Sequence, residues 1–268
     1  MTQTHVHADL ADLSQAAASL FAALIEEDLG RYPNPVVILS GGSTPKPCYE
    51  RLAGLLEPLG AAVHRVSWVI GDERWVPVSD SASNEGMIRR SLLGPLEVPE
   101  DRILSWNAGE GPPIERARDY QRKLRSLLGA PERKSETPAD EILLQPAHAP
   151  DLTLLGIGED GHTASLFPDA VVVPASPPGG ESGESPVGPN IPAWTAAIYV
   201  PRLQSFRLTL TAAILGASRR IYFLVSGAAK KEALRGMLDG DASLPAAWMN
   251  LPQTEVLATR DAVDLERV

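Results

Sequence analysis

Short apolar runs alternate along this chain with longer segments that have helical spacing of apolar residues. Four of the runs are four or five residues long and almost wholly apolar, at 36–39, 66–70, 152–155 and 221–225. Such runs are typical of strands that are buried on both faces. Weaker patterns predict four more strands, at 102–106, 196–200, 207–211 and 255–258.

Helical spacing fills most of the intervals between these runs. It predicts five helices, at 8–29, 47–56, 83–93, 114–128 and 228–238. Strands that alternate with helices indicate an α/β fold, with an open, mostly parallel sheet covered by helices on both faces in three layers. We expect residues 1–268 to form a single domain of this kind.

Two segments interrupt the alternation. Residues 131–150 are charged and contain proline, and residues 174–192 are rich in proline and glycine with few bulky apolar groups. A segment of that composition cannot bury enough apolar surface to order itself. Both are predicted to be flexible inserts, and the second is either a lid over the site or a plain surface loop.

Composition narrows the classes of function. The 268 residues are 44% hydrophobic, which supports a sizeable core, and the net charge of −10 argues against nucleic acid and anionic membranes as partners. A local pocket can still be positive and bind a small anion. The single Cys48 excludes an internal disulfide, and the five histidines lack metal-ligand spacing, so no metal is predicted.

Targeting signals are absent from the sequence as given. No apolar stretch reaches the ~18 residues that a membrane span needs, and the first ten residues lack a basic region followed by an apolar one. We therefore expect a cytoplasmic protein.

Segment 156–168, G-I-G-E-D-G-H-T-A-S-L-F-P, concentrates polar chemistry directly after an apolar run. Its glycines permit a sharp turn and a close approach to a ligand, and ligands of open α/β sheets bind beyond the carboxyl ends of the strands. His162, with Asp160 two residues before it, is where a general base is expected. The alternative is a tight turn with a surface histidine.

Segment 40–45, S-G-G-S-T-P, also lies between a strand and a helix. Its backbone N–H groups and the helix dipole make an anion site. The hydroxyls of Ser43 and Thr44 either add hydrogen bonds to the anion or cap the helix. An ordinary capped turn is the alternative.

Segment 71–77, G-D-E-R-W-V-P, places two acids and an arginine at a third strand end. Arg74 could clamp a phosphate, oriented by Asp72 or Glu73, or these residues form a surface ion pair. Asn84 and Glu85, at a predicted helix start, either line the same crevice or cap the helix.

Further positive charge comes from the second half of the chain. Arg207 begins the pattern R-L-T-L-T, and Lys230 and Lys231 follow a strand and a turn. Each is ordinary when taken alone. Together with Arg74 they supply the local positive charge that an acidic protein needs to hold a phosphate.

Six of these motifs together resemble a known family. They are L-S-G-G-S-T-P (39–45), G-D-E-R-W-V-P (71–77), D-S-A-S-N (80–84), G-I-G-E-D-G-H-T-A-S-L-F-P (156–168), R-L-T-L-T (207–211) and S-G-A-A-K (226–230). In order and spacing they are similar to the lactonase branch of the glucosamine-6-phosphate isomerase/6-phosphogluconolactonase family. The resemblance covers about residues 10 to 260.

The resemblance implies a Rossmann-like α/β fold and hydrolysis of 6-phospho-D-glucono-1,5-lactone to 6-phospho-D-gluconate, without cofactor or metal. It implies a phosphorylated sugar lactone as partner, no nucleic acid or membrane, and a monomer or weak homodimer. It assigns general-base catalysis to His162, tuning of the imidazole to Asp160, and a further catalytic position to Asp72. The implied substrate- and phosphate-binding residues are Gly41, Gly42, Ser43, Thr44, Arg74, Arg207 and Lys230.

Two assignments have alternatives. The family often has two prolines before the arginine of the R-x-T-L-T strand, where this chain has L-Q-S-F at 203–206. Arg202 is therefore an alternative to Arg207, and Lys231 is an alternative to Lys230.

Two other functions are compatible with the same motifs. The deaminase branch carries a glutamate five residues after the histidine, where this chain has Phe167, and tends to have tyrosine where this chain has Arg74. Both differences favour the lactonase branch. A sugar-phosphate sensor without activity is the other rival, and the presence of both His162 and Arg74 argues against it.

Overall fold

The computed structural model describes residues 2–129, 146–173 and 185–264. Within these ranges the α-helices are α1 (Leu10–Arg31), α2 (Pro45–Leu56), α3 (Asn84–Ile88), α4 (Pro113–Leu128), α5 (Ala212–Gly216) and α6 (Lys231–Asp239). Every helix of the described residues is too short or too polar to cross a lipid bilayer.

Strands are found throughout the same ranges. They are β1 (Gln3–His7), β2 (Val36–Leu39), β3 (Ser67–Ile70), β4 (Asp72–Arg74), β5 (Ile103–Leu104), β6 (Leu152–Leu155), β7 (Val171–Val172), β8 (Ser185–Pro186), β9 (Thr195–Val200), β10 (Ser205–Leu210), β11 (Ile221–Val225) and β12 (Thr254–Thr259).

Seven of these strands form a sheet in the order β1-β12-β11-β6-β2-β3-β5. Every pair in it is parallel. All residues of β2, β3, β6 and β11 are buried, which explains why their sequences are almost wholly apolar instead of alternating. The predicted α/β fold with a mostly parallel sheet is confirmed.

The other five strands form a second, antiparallel sheet in the order β4-β10-β9-β7-β8. The predicted strands at 196–200 and 207–211 therefore exist but belong to this sheet. It joins the parallel sheet where β3 passes through Gly71 into β4, and the N–H of Leu210 donates to the Gly71 carbonyl at 2.9 Å. The chain thus brings the ends of two differently built sheets to one place.

Several elements differ from the pattern-based expectation. β1 (Q-T-H-V-H) and β4 (D-E-R) were not predicted because their residues are mostly polar, and they form by pairing with β12 and β10. The predicted helix at 83–93 is α3 followed by a π-helical turn at Arg89–Leu93. The predicted helix at 228–238 begins with a 3-10 turn at Ala228–Lys230.

The two predicted inserts lie largely outside the described residues. For the first, only 146–150 are described, and for the second only 185–192. Within that second part, β8 pairs with β7 at the edge of the antiparallel sheet.

Candidate active site

Four loops meet at the carboxyl ends of β2, β3, β6 and β11, which are neighbours in the parallel sheet. The chain proceeds from β2 to β3 in one direction across the sheet, and from β6 to β11 in the other. The loops after β2 and β6 therefore open on either side of a topological switch point, where open α/β sheets bind ligands.

A cavity of about 190 Å³ lies between these loops. Its wall includes a set of residues from all four loops: Ser40, Gly41, Gly42, Ser43, Thr44, Asp72, Arg74, Asn84, Gly156, Gly158, His162, Ala164, Ser226 and Lys230. A larger cavity of about 1010 Å³ lies elsewhere, beside residues of β1, α6 and 250–252. We place the site in the smaller cavity because it collects the charged groups at the strand ends.

The turn at 40–45 is held close to the neighbouring strand end by Asn84. A Cβ atom on Gly41 would lie 2.0 Å from the Asn84 Oδ1 atom, so only glycine fits there. The Asn84 amide donates to the backbone carbonyl of Asp72 at 3.0 Å. Of the two options for Asn84, lining the crevice is the one observed, because the side chain of Ser83 caps α3.

The backbone of this turn borders the cavity. Gly42 has φ +108°, a conformation that favours glycine, and Thr44 is the N-cap of α2. The Thr44 hydroxyl makes no capping hydrogen bond, so the capping alternative for this residue is wrong. Thr44 and Pro45, at the N-terminal end of α2, lie on the cavity wall, which is the position expected of an anion site.

Glu73 is a structural carboxylate. It is buried and accepts hydrogen bonds from the backbone N–H groups of Arg74, Asn84 and Glu85 at 2.7–2.8 Å and from the Ser83 hydroxyl at 2.8 Å. Burial raises its pKa, and these four hydrogen bonds oppose that rise. With both oxygens used in this way, Glu73 fixes the path of the chain between β4 and α3.

Asp72 has a different environment. It lines the cavity, and its Oδ2 atom accepts a hydrogen bond from the Ser165 hydroxyl at 2.7 Å. Burial raises the pKa of Asp72, and Ser165, Arg74, His162 and Arg207 oppose the rise. Asp72 is therefore a second titratable group in the cavity beside His162.

Arg74 and Arg207 are directly opposite each other on β4 and β10. Among the described residues, neither guanidinium has a carboxylate within ion-pair distance; Arg74 donates to the Ala82 carbonyl at 2.7 Å, and Arg207 to Ser205 Oγ at 2.7 Å. Burial and the nearby Arg74 charge lower the pKa of Arg207. Like charges opposite each other on adjacent strands are unfavourable, so this pair is suited to an anion.

His162 is held in a compact turn after β6. The Gly158 N–H donates to the His162 carbonyl at 2.8 Å, and the His162 Nδ1 atom lies 2.5 Å from Asp160 Oδ1. A Cβ atom on Gly158 would lie 2.0 Å from Nδ1, so the imidazole packs directly on that glycine. This contact leaves the Nε2 side of the ring for the cavity.

Asp160 lies behind the histidine. Burial by itself raises its pKa, but the hydrogen bonds and charges of His162 and Arg202 outweigh burial and hold the pKa well below its usual range. The carboxylate is therefore ionised at neutral pH and fixes the Nδ1–H tautomer of the imidazole.

The two alternative pairs of basic residues are separated by position. Lys230 lines the site cavity, with its Nζ atom 3.7 Å from Glu159, whereas Lys231 lines the larger cavity. Arg207 lies beside Arg74, and Arg202 binds Asp160 and Asp169.

The structure thus brings the predicted site residues together around one cavity. Asp160 and Arg207 stand just behind its wall, and the others form it. Sequence reasoning did not identify the partners of these groups, such as the hydroxyl of Ser165 on Asp72 and the guanidinium of Arg202 on Asp160. Ser165 carried a signal, because it belongs to the predicted motif, whereas Arg202 is 42 residues from its partner.

The chain matches the model of a known family over residues 8–258, described as glucosamine-6-phosphate isomerases/6-phosphogluconolactonase. It belongs to this family of sugar-phosphate proteins, as its motifs predicted. Within the family it is similar to the 6-phosphogluconolactonase of Rattus norvegicus, with 31% identity over 92% of this chain and 84% of that relative.

Solved structures share the fold. The 6-phosphogluconolactonase of Leishmania guyanensis is 25% identical, with a TM-score of 0.75 over 98% of this chain and 97% of that one. A monomeric glucosamine-6-phosphate deaminase aligns with a TM-score of 0.69 at 22% identity, over 97% of this chain and 98% of that one. The fold therefore accommodates both branches, and only the site can separate them.

Proposed function

We propose that this chain hydrolyses 6-phospho-D-glucono-1,5-lactone to 6-phospho-D-gluconate, the second step of the oxidative pentose phosphate pathway. The observation that supports this most directly is the pair of His162 and Asp160 at a cavity whose other walls are a helix N-terminus and Arg74. The cavity combines a base with groups that bind an anion, and the lactone needs both.

In the proposed reaction, His162 Nε2 accepts a proton from a water molecule as the water oxygen attacks the lactone carbonyl carbon. Asp160 stabilises the imidazolium that forms. When the bond between the carbonyl carbon and the ring oxygen breaks, the imidazolium returns the proton to that oxygen. The products are a carboxylic acid and a hydroxyl group, and the base is regenerated.

This scheme needs no covalent intermediate. A lactone is an activated ester, so a positioned water and charge stabilisation of the tetrahedral oxyanion suffice. The hydroxyl of Ser165, three residues after His162, is engaged with Asp72 and is buried, which argues against Ser165 as a nucleophile. Asp72, which lies on the cavity wall, is proposed to form a hydrogen bond with the sugar.

The phosphate end of the substrate is assigned to the turn at 40–45, Arg74, Arg207 and Lys230. Gly41 and Gly42 let the backbone approach the ligand, with Ser43 and Thr44 supplying N–H groups and hydroxyls. Remote phosphate binding then holds the ring in register with the base, because binding energy can be used to orient a reacting group. Lys230 exchanges its contact with Glu159 for the ligand in this proposal.

The deaminase reaction is disfavoured by a specific contact. The ring of Phe167, which is buried, lies with its centroid 4.1 Å from that of His162. This is the position at which the deaminase branch carries a glutamate, and a phenyl ring cannot transfer a proton. The expectations of cytoplasmic location, of no nucleic acid or membrane partner and of a monomer or weak homodimer stay predictions.

The first test is hydrolysis of freshly generated 6-phosphogluconolactone, coupled to 6-phosphogluconate dehydrogenase, with spontaneous hydrolysis subtracted. His162→Ala should lower kcat by roughly 10²–10⁴-fold with an unchanged circular dichroism spectrum, because general-base catalysis is lost. His148→Ala, at an exposed histidine, is the matched control and should keep the wild-type rate.

Two results would contradict the proposal. A folded wild-type protein that does not accelerate hydrolysis would redirect the search to glucosamine 6-phosphate as substrate. A His162→Ala variant with a near-wild-type rate would reject the base assignment while leaving the lactonase activity in place.

A further inference from the structure

Arg202 lies outside the cavity wall but contacts the groups that hold the base. It belongs to the 3-10 turn Pro201–Leu203, which connects β9 to β10 in the antiparallel sheet. Its Nη2 atom donates to Asp160 Oδ2, and its Nε atom lies 3.3 Å from Asp169 Oδ2. Its guanidinium carbon is 5.2 Å from the centroid of the Phe167 ring.

These contacts enclose the imidazole from behind. Asp160 uses one oxygen for His162 Nδ1 and the other for Arg202, and Phe167 lies against both the imidazole and the guanidinium. Arg202 therefore touches both side chains that support His162. It does so from a different sheet and from a sequence position 40 residues later.

We infer that Arg202 is a positioning residue that acts on His162 through Asp160 and Phe167, and that it does not bind the phosphate. This inference rests on the proposed role of His162 as the base. It goes beyond that role because it assigns the orientation and the charge environment of the imidazole to a residue in the turn between two strands of the antiparallel sheet.

The orientation follows from the hydrogen-bond geometry. A carboxylate held by a single imidazole can rotate about its own side-chain torsion, whereas a carboxylate that also accepts from a guanidinium is fixed at both oxygens. A fixed Asp160 keeps the Nδ1–H in place, so the Nε2 lone pair points consistently towards the cavity. Loss of Arg202 would lower the fraction of productive orientations.

The basicity follows from charge. Arg202 draws on the same carboxylate charge that stabilises the imidazolium, and its own positive charge repels the imidazolium. Without Arg202, Asp160 would interact with the imidazole alone. The other charged groups around the imidazole are unchanged by that substitution: Asp160 and Glu159 on its own turn, Asp72 on β4, Arg74 on β4, Arg207 on β10 and Lys230 after β11.

The test compares Arg202→Met with the wild-type protein, because methionine keeps an apolar stem against Phe167 and removes only the charge and the donors. We expect kcat for the phosphorylated lactone to fall about 10-fold, in the lower range of effects on acid–base catalysis. KM should change less than twofold. The acidic limb of the kcat/KM profile should move to higher pH by up to about one unit.

A second readout does not depend on activity. The ring nitrogen resonances of His162 in ¹⁵N-histidine-labelled protein report tautomer and protonation directly. In Arg202→Met their midpoint should move to higher pH, and at high pH the Nδ1–H tautomer should lose population. Arg202→Lys should restore most of the pH profile because it restores the charge.

Arg219→Met is the matched control. Arg219 also stacks on an aromatic ring, that of Tyr32, and lies 3.5 Å from a carboxylate, that of Asp151. Asp151 directly precedes β6, so this pair lies at the amino ends of the strands, at the opposite end of the sheet from the site. Arg219→Met should leave both the profile and the resonances unchanged. If Arg202→Met does not fold, Arg202→Gln takes its place.

The possible results separate the alternatives. If KM rises by a factor of about ten or more while the His162 resonances stay unshifted, Arg202 is a phosphate ligand and the inference is overturned. A fall in kcat without any shift would show a purely structural role and would also overturn it. A wild-type protein without lactonase activity would refute the proposed function, while the resonances would still decide what Arg202 does to His162.

Discussion

At the scale of single residues, the site depends on glycines as much as on charged groups. The side chain of Asn84 packs directly on the backbone of Gly41, and that of His162 packs on Gly158. A Cβ atom on either glycine would lie 2.0 Å from that side chain. Sequence analysis placed Gly41 in an anion-binding turn, and it predicted that the backbone at the glycines of 156–168, Gly158 among them, comes close to a ligand. It assigned that approach to the ligand, whereas the structure shows side chains of the protein itself packed there.

The substitution Gly158→Ala should therefore displace the imidazole of His162. The added methyl group collides with the His162 ring and with Asp160 Oδ1 at 2.4 Å, and we expect kcat to fall by about 10²-fold, as for a misplacement near 1 Å. The measurement is the coupled lactone assay, with thermal unfolding to check the fold. The circular dichroism spectrum should be retained.

Gly156→Ala provides the control for that substitution. Gly156 lies on the same loop and on the cavity wall, but a Cβ atom there would have no neighbour within 4 Å. Its activity should stay within a few-fold of the wild type. Equal losses in the two variants would show that the loop, and not the His162 contact, is sensitive.

At the scale of elements, the buried strands of the parallel sheet were predictable, whereas the existence of a second, antiparallel sheet was not, although two of its strands, β9 and β10, were predicted. The strands β2, β3, β6 and β11 are buried on both faces, so their apolar sequences alone indicate them. β4 has the sequence D-E-R and exists because it pairs with residues more than 130 positions later. Such long-range pairing leaves no local pattern.

The same limit applies to the site. The loops at the strand ends could be found because polar motifs follow apolar runs, and the cavity there collects the predicted residues. The opposition of Arg74 and Arg207 could not be found, because it is a consequence of strand register. The sequence therefore predicts which residues belong to the site, but it does not predict which of them lie opposite each other.

The arginine pair leads to a prediction about ligand-induced stability. Arg74→Ala should raise KM for the phosphorylated lactone by about 10–100-fold, the effect of losing a charge-assisted hydrogen bond. It should also abolish most of the increase in Tm that 6-phosphogluconate gives the wild-type protein, because only a ligand that binds the folded state stabilises it. Differential scanning fluorimetry with increasing 6-phosphogluconate measures the second effect.

Without ligand, Arg74→Ala should change Tm by less than the ligand-induced increase in Tm that this variant loses. Arg74→Ala removes a hydrogen bond to Ala82 but also removes the repulsion from Arg207. Arg118→Ala, at an exposed residue of α4, is the control and should leave both quantities unchanged. Ligand stabilisation that persists in Arg74→Ala would reject the phosphate clamp.

At the scale of the whole molecule, buried carboxyl groups with raised pKa values work against stability. Burial raises the pKa values of Asp72, Glu73 and Asp151, whereas His162 and Arg202 lower that of Asp160 despite its burial. An acid with a raised pKa binds its proton more tightly in the folded state. Its contribution to stability therefore decreases as the pH rises from the unfolded value, about 3.9, through the folded value.

Asp72→Asn should accordingly raise Tm at pH 7–8 while it lowers kcat/KM about 10-fold or more by loss of a polar group from the cavity. The gain in Tm should shrink as the pH falls towards 4, because the carboxyl of the unfolded wild-type chain then begins to bind the proton that the folded state already holds. Thermal unfolding across this pH range measures the difference. Asp101→Asn, at an exposed aspartate, should show no such gain.

A variant that is less stable than the wild type at every pH would contradict this account. It would mean that the ionised carboxylate of Asp72 contributes more by neutralising Arg74 and Arg207 than its burial costs.

The seam between the two sheets has a consequence for which substrates can react. His162 follows a strand of the parallel sheet, whereas Arg74 and Arg207 belong to the antiparallel one. The spacing between them is fixed by the bonds from Leu210 to Gly71 and from Ser165 to Asp72 and Thr209. Under the proposed function, this fixed spacing would select substrates by length. A phosphorylated lactone one carbon shorter is expected to bind through its phosphate at Arg74 and Arg207 and to leave its carbonyl out of reach of a water at His162.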